Sequence, residues 1–309
     1  MSQKEKLIGV LIGEESDFPK AFIKTINHRN TPVNAEMAKV SYTQMDGTAP
    51  YDVIIDRISH IVPYYRSYLE FAVLNNTYVI NNPFMWSVDS RFIGTAVVNQ
   101  LGLKSPKTII LPNKYIERDA VPDTFRNLDY PMDWDAIINY VGVPAIFKNN
   151  SIGGRQETYR VHSVDDLLEW YDASGTRTKI LQEIIESDVH IHSFVIGHEE
   201  VMSLYFSIQD NHYKPDIISN NDKLGAKLAN AAIRISQAYQ YDVNMVEFVV
   251  KDNDIYVING TNPAPQISYE LMTKEQFFWC VDEIANVAIE RALRPLPQHS
   301  IANVHLKNE

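Results

Sequence analysis

The feature that most constrains the fold is an alternation of short apolar runs and helix-spaced segments over the first hundred residues. The run KLIGVLI at 6–12 has the composition of a buried strand and breaks at Gly13. Phe18, Phe22, Ile23 and Ile26 then recur at helical spacing as far as His28. Val33 to Val40 reads as a second strand and Tyr51 to Ile55 as a third. Ile61 to Leu74 reads as a loop and then a helix, and Thr77 to Ile80 as a fourth strand. Strands joined by helices pair in parallel through crossovers, which places helices on the sheet faces. Ligands in such sheets gather beyond the carboxyl ends of the strands, here Gly13 to Ser16, Asp56-Arg57 and Asn81-Asn82.

Ser87 is the predicted N-cap of the next helix, with Asp89 in its first turn. Phe92, Ile93, Ala96, Val97 and Leu101 line one predicted face, and Gly102 ends it. A strand at Lys107 to Leu111 opens a second region. Residues 112–134 are irregular, and a short helix at Asp135 to Tyr140 leads to a strand ending in Lys148. Ser163 to Asp166 forms a predicted capping box for a helix to Asp172. LQEIIESDVHIHSFVIGHEEVMSLYFSI reads as two or three antiparallel strands with a turn at Gly197-His198. From Asp222, the spacing of Leu224, Leu228, Ala231, Ile235 and Ala238 predicts an amphipathic helix. The strands VNMVEFVV and DIYVIN follow, and a last helix carries Phe277, Phe278, Val281, Ile284 and Ala288.

Composition narrows the partners. A chain of 309 residues can form one large domain or two to three small ones. Its formal net charge of −11 disfavours long-range attraction to nucleic acid or an anionic membrane. A phosphate ligand must then be held by a local cation or by metal. The single cysteine, Cys280, excludes an intrachain disulfide and sits in the apolar pattern FFWCVDEIA. IGVLIG is too short for a signal segment or a membrane span, so a cytoplasmic, soluble protein is expected.

Two stretches carry possible chemistry. In PAIFKNNSIGGRQETYR, Lys148 stands at a strand exit and Gly153-Gly154 lets backbone N–H groups approach a ligand closely. That arrangement suits a triphosphate; a hairpin with a Gly-Gly turn and a solvated lysine is the plainer reading. In VEFVVKDNDIYVINGTNPAP, a three-residue loop Asp252-Asn253-Asp254 would set Glu247 directly across from Asn259, with Asn262 nearby. Such oxygen ligands suit magnesium, although Glu247 could equally be a solvated strand residue.

The chain resembles the ATP-grasp superfamily, in particular glutathione synthetase and the RimK-like carboxylate–amine ligases. Asp89-Ser90-Arg91, AIFKNNSIGGR, LQEIIE and the VEFVV…YVINGTNPAP hairpin carry the resemblance in the family's order. It implies a mixed α/β and α+β fold. A pre-ATP-grasp parallel-sheet domain at 1–103 would precede a two-lobed ATP-grasp domain, with lobes at 104–188 and 189–309. It implies ATP and Mg2+ as cofactors. Arg91 and Lys148 would meet the phosphates under Gly153 and Gly154. Backbone groups of Gln182, Glu183 and Ile184 would meet adenine, and Glu186 the ribose. Glu247, Asn259 and Asn262 would hold the metal.

Arg57, among His60, Tyr64, Tyr65 and Arg66, would receive the substrate carboxylate, and His192 would take a catalytic position. For that cluster, tyrosines packing a helix and solvated arginines remain the alternative. The sequence departs from the family's pattern in three ways. Asn259 replaces the second metal-binding acid, Arg91 replaces a lysine, and His190 and His192 replace an Asp-x-Arg pair. Plain strand surface is the other reading of both histidines. The resemblance implies ATP-dependent carboxylate–amine ligation through an acyl phosphate, with amino-acid or peptide substrates. The rival expectation is a nucleotide-binding pseudo-enzyme that partners an active ligase. A homodimer is expected only by analogy.

Overall fold

The computed structural model describes residues 5–85, 90–116, 126–151 and 157–298. In chain order the elements are β1 (Lys6–Leu11), α1 (Asp17–His28), β2 (Val33–Met37), β3 (Val53–Asp56), α2 (Pro63–Leu74), β4 (Tyr78–Ile80) and α3 (Arg91–Gln100). Then come β5 (Thr108–Leu111), α4 (Trp134–Val141), β6 (Ala145–Asn149), β7 (Thr158–Val161), α5 (Val164–Asp172) and β8 (Lys179–Glu183). The last are β9 (His190–Ile196), β10 (Glu200–Ser207), β11 (His212–Ile218), α6 (Lys223–Tyr239), β12 (Val243–Lys251), β13 (Asp254–Asn259) and α7 (Lys274–Leu293). They group into two compact units. One holds residues 1–86, 189–248 and 260–309, the other 87–188 and 249–259.

In the first unit, β2-β1-β3-β4 form the expected parallel sheet. All of β3 and β4 is buried, as continuous apolar runs covered on both faces should be, whereas β2 alternates as an edge strand does. A Cβ on Gly9 would lie 2.8 Å from the Tyr51 ring, so only glycine lets that aromatic lie flat on β1. The strands β9, β10 and β11 pair antiparallel, and α7 packs against β1, β3, β4 and β9. Phe277, Cys280, Val281, Ile284 and Ala288 of α7 share one core with Ile8, Val53, Ile80, Phe194 and Leu204. Thr273 and Gln276 form a reciprocal capping box at its start. The strand β11 was not predicted. Its run HYKPDII is mostly exposed on a sheet edge, where Pro215 is tolerated and no period-2 pattern is imposed.

In the second unit, β5-β8-β6-β7 form an antiparallel sheet. Val141, Phe147, Leu167, Tyr171 and Leu181 make one core between this sheet and α4 and α5. The predicted cap at Ser87 and the acid at Asp89 lie outside the described residues. The observed N-cap of α3 is Ser90, whose Oγ accepts the Ile93 N–H at 3.2 Å. The predicted apolar face is corrected with it: Gly94 and Val98 are the buried residues, and Ile93 is exposed.

The hairpin turn also differs from expectation. It is the two-residue Asp252-Asn253, with both residues at positive φ (51° and 62°), and Asp254 already belongs to β13. Both central residues of a type I′ turn need that conformation, which Asp and Asn tolerate. Counting on from this turn, the residue in step with Glu247 is Ile258. Asn259 is one place out, and a one-residue slip turns a side chain to the other face.

Candidate functional site

In the second unit the chemistry lies on the sheet face that α4 and α5 leave uncovered. Ala145 and Phe147 of β6 are fully buried toward those helices, so Ile146 and Lys148 point the other way. Register puts Gln182 opposite Ile146 on one side and opposite Thr108 on the other. Three side chains from three strands are thereby linked. Lys148 Nζ donates to Gln182 Oε1 at 2.8 Å, and Gln182 Nε2 donates to Thr108 Oγ1 at 2.9 Å. The ammonium is held in place by a neutral amide, which leaves its charge uncompensated by that partner.

A second lysine of the same sheet is buried on the opposite face. Lys179 is 1 % exposed, its Nζ is 3.2 Å from Glu157 Oε2 and 5.6 Å from the Phe147 ring centroid. Only the pairing register separates the two lysines into different roles.

At the predicted adenine strand, the Glu183 N–H donates to the Lys107 carbonyl at 2.9 Å, and Glu183 Oε2 accepts the Lys107 N–H at 3.0 Å. The Glu183 N–H and carboxylate are therefore engaged by the sheet margin, and of the backbone groups of Gln182, Glu183 and Ile184 expected at adenine this N–H is already bonded. Ile184 follows the end of β8 and Glu186 is exposed. Gly153 and Gly154 lie outside the described residues. Arg91 opens α3, and its backbone N–H donates to the Asn150 carbonyl at 2.8 Å. This ties the predicted phosphate arginine to the residue two places beyond Lys148.

In the first unit, Arg57 stands at the carboxyl end of β3 as expected, but not for the expected purpose. Its side chain is 2 % exposed, with Nε 2.8 Å from Glu15 Oε2 and Nη2 2.5 Å from Glu15 Oε1. The same Nη2 donates to the Pro265 carbonyl, and the guanidinium lies 4.7 Å from the Phe18 ring centroid. The fork that would take a substrate carboxylate already holds one. The assignment of Arg57 to substrate is therefore corrected: it is a structural clamp between the two strand-end loops and the 262–265 turn. The neighbouring loop is fixed by Asp56, which accepts from the Ser59 N–H at 2.9 Å and Ser59 Oγ at 2.5 Å. His60 is half-buried, and that burial lowers its pKa.

His192 is neither plain strand surface nor a free cation. Its Nδ1 is 2.9 Å from Tyr213 Oη, and its ring stacks on Phe206 at 4.5 Å. Burial pushes its pKa below the ordinary 6.5, against the pull of Glu247. Burial, and after it the charge of Glu247, raises the pKa of Tyr213. Tyr213 belongs to the unpredicted β11, which is why no partner for His192 is visible in the sequence pattern. The linkage has a definite sign. Below pH 6.5 the unfolded chain takes up the His192 proton before the folded chain does, so stability falls as pH falls through that window. His192→Phe is expected to flatten this slope, read as urea midpoints between about pH 5 and 7; an unchanged slope would show that other groups set it.

Asn262 is fixed by its backbone. Its N–H donates to Asn244 Oδ1 at 2.9 Å, and its carbonyl accepts the Met245 N–H at 3.0 Å, two residues before Glu247. Among the described residues no group of three or more His, Cys, Asp or Glu is arranged to hold a metal ion. Among them, too, no helix is long and apolar enough to cross a membrane.

No family model and no curated protein matches this sequence. Solved structures do match over nearly its whole length. A RimK-domain ATP-grasp protein from Sphaerobacter thermophilus aligns at TM-score 0.64 and 14% identity, covering 93% of this chain and 99% of that one. A RiPP-associated ATP-grasp ligase from Chryseobacterium gregarium, in complex with ADP and a leader and core peptide, aligns at 0.63 and 13%, covering 96% and 99%. D-alanine–D-alanine ligase from Bacillus anthracis, complexed with ATP, aligns at 0.57 and 14%, covering 94% and 97%. At these identities the likeness is one of fold, and it includes both the parallel sheet and the antiparallel sheets: this chain has the ATP-grasp fold.

Proposed function

We propose that the chain is an ATP-dependent ligase that joins a carboxylate to an amine through an acyl phosphate, acting on an amino acid or a peptide. The observation that carries nucleotide binding is the linked row Lys148, Gln182 and Thr108 on the sheet face opposite α4 and α5. It occurs in a fold whose solved examples include proteins in complex with ATP and with ADP. Support for the substrate class comes from neighbours described as a D-alanine–D-alanine ligase and as a ligase in complex with a leader and core peptide.

In this reading Lys148 and Arg91 meet the phosphates, backbone beyond Glu183 meets adenine, and Glu186 meets the ribose. A substrate carboxylate oxygen attacks the γ-phosphorus, and the bond to the ADP oxygen breaks. The amine nitrogen then attacks the acyl carbon, phosphate leaves, and the nitrogen gives up a proton. The protein's share is positioning and charge compensation. With Arg57 occupied by Glu15, recognition of the substrate carboxylate falls to other groups. The donor chemistry fits magnesium carried chiefly by the nucleotide phosphates, with Glu247 as the protein carboxylate and the Asn262 amide beside it. That ion would neutralise phosphate charge. Asn259, out of step with Glu247, is the least suited of the predicted ligands.

Calorimetry with ATP, with and without magnesium, followed by ADP release across pairs of amino acids and short peptides, tests the reading. Magnesium-dependent binding and ADP release with one pair are the expected results. No ATP binding would overturn it, and binding without release for any pair would favour a nucleotide-binding pseudo-enzyme.

A further inference from the structure

We infer that Asn150 is a positioning residue that sets Arg91 relative to the Lys148 strand, an inference that rests on the nucleotide reading above. Asn150 is 9 % exposed and continues β6 two residues beyond Lys148. Its own N–H donates to the Thr178 carbonyl at 3.0 Å, extending the β6–β8 pairing by one residue and fixing its backbone to the sheet. From there it holds the start of α3 through three bonds. Its carbonyl accepts the Arg91 N–H at 2.8 Å, its Oδ1 accepts the Phe92 N–H at 3.0 Å, and its Nδ2 lies 3.4 Å from Ser90 Oγ. Ser90 Oγ accepts the next N–H, that of Ile93.

Two consequences follow. The first three amides of α3 are already satisfied within the protein, so this helix start has few N–H groups left for an anion, and its contribution to phosphate is the Arg91 side chain. The position of that side chain is set by a residue on another element. Strand β6 presents Lys148 directly and, through Asn150, fixes the residue that presents Arg91. One residue, through its carbonyl and its side chain, thus couples two cations that the sequence places 57 positions apart, between 91 and 148. Ser90 caps α3 from the ordinary position just before the helix; Asn150 adds a second set of bonds from a distant strand, which fixes the helix start relative to β6.

A double-mutant cycle on magnesium-ATP binding separates positioning from mere stability. Arg91→Met, Asn150→Ala and the double variant are measured by calorimetry, with thermal melting of each. Asn150→Ala is expected to raise the Kd about tenfold in the native background and by less than about twofold when Arg91 is already Met, since the Asn150 side chain acts on ATP only by placing the helix start that carries Arg91. An equal loss in both backgrounds, or no loss in the first, would overturn the inference, as would an unaltered Kd for Arg91→Met. Should Asn150→Ala not fold, Ser90→Ala, which removes only the hydroxyl joining Asn150 to the Ile93 amide, is read in the same cycle, with a loss of about threefold expected in the native background alone. A native protein that binds no ATP overturns the nucleotide reading and this inference together, whereas native binding with an additive cycle overturns this inference only.

Discussion

Replacing Lys148 by alanine is expected to lower magnesium-ATP affinity by roughly tenfold to a hundredfold, the 1.5–3 kcal/mol typical of a hydrogen bond to a charged group. The side chain is half-buried on the face of β6 opposite α4 and α5, and its Nζ donates to the Gln182 amide at 2.8 Å, in the row that this reading gives to the phosphates. Stability should change less than at Lys179, because the Lys148 side chain is only half-buried whereas Lys179 is 1 % exposed. Lys179 supplies the control. It lies on the same sheet, one strand away, but on the helix face and paired with Glu157. Lys179→Met is expected to alter stability while leaving ATP affinity within about twofold, since this buried lysine, paired with a partly exposed Glu157, acts on the fold. Calorimetry on both variants decides the matter. Equal losses of affinity from the two lysines, or none from Lys148, would show that the nucleotide site is not on this face.

The largest stability effect is expected at Arg291. Its Nη2 lies 2.8 Å from Asp242 Oδ1, its Nε lies 3.3 Å from Tyr78 Oη, and Tyr78 donates to Asp242 Oδ2 at 2.5 Å. All three residues are buried, and they tie β4, the turn before β12 and α7 together. Arg291→Met keeps the apolar bulk but leaves the Asp242 carboxylate buried without its cation, a situation that costs about 3–5 kcal/mol. The hydroxyl of Tyr78 remains as a single partner, so Tyr78→Phe alone should cost less, about 1–2 kcal/mol. Urea midpoints with unchanged m-values measure both. A loss below about 1 kcal/mol for Arg291→Met would mean that water reaches Asp242 and that the network does not anchor α7.

How much of this was legible in the sequence follows the range of the forces involved. Local patterns settle locally. The alternation of apolar runs and helical spacings fixed the parallel sheet β2-β1-β3-β4, because strand and helix periods are properties of a few consecutive residues. Lys148 at a strand exit could be singled out for the same reason, as could the cap at Ser163. The turn Asp252-Asn253 was misjudged by one residue, and that single place moved Asn259 out of step with Glu247. A strand's register depends on the exact turn type, which Asp-Asn-Asp leaves open in sequence.

What only the tertiary structure decided is which charges are already answered. Arg57 reads as a substrate anchor until Glu15, 42 positions earlier, is found in its fork. His192 reads as an exposed strand residue until an edge strand without a visible period brings Tyr213 against it. Lys148 and Lys179 are alike in composition and strand context, and only the pairing of β6 with β8 turns one half-buried to the face opposite α4 and α5 and the other into the core. Periodicity records which side of an element is apolar. It carries nothing about which distant side chain completes a hydrogen bond, because that is fixed by closure of the chain on itself.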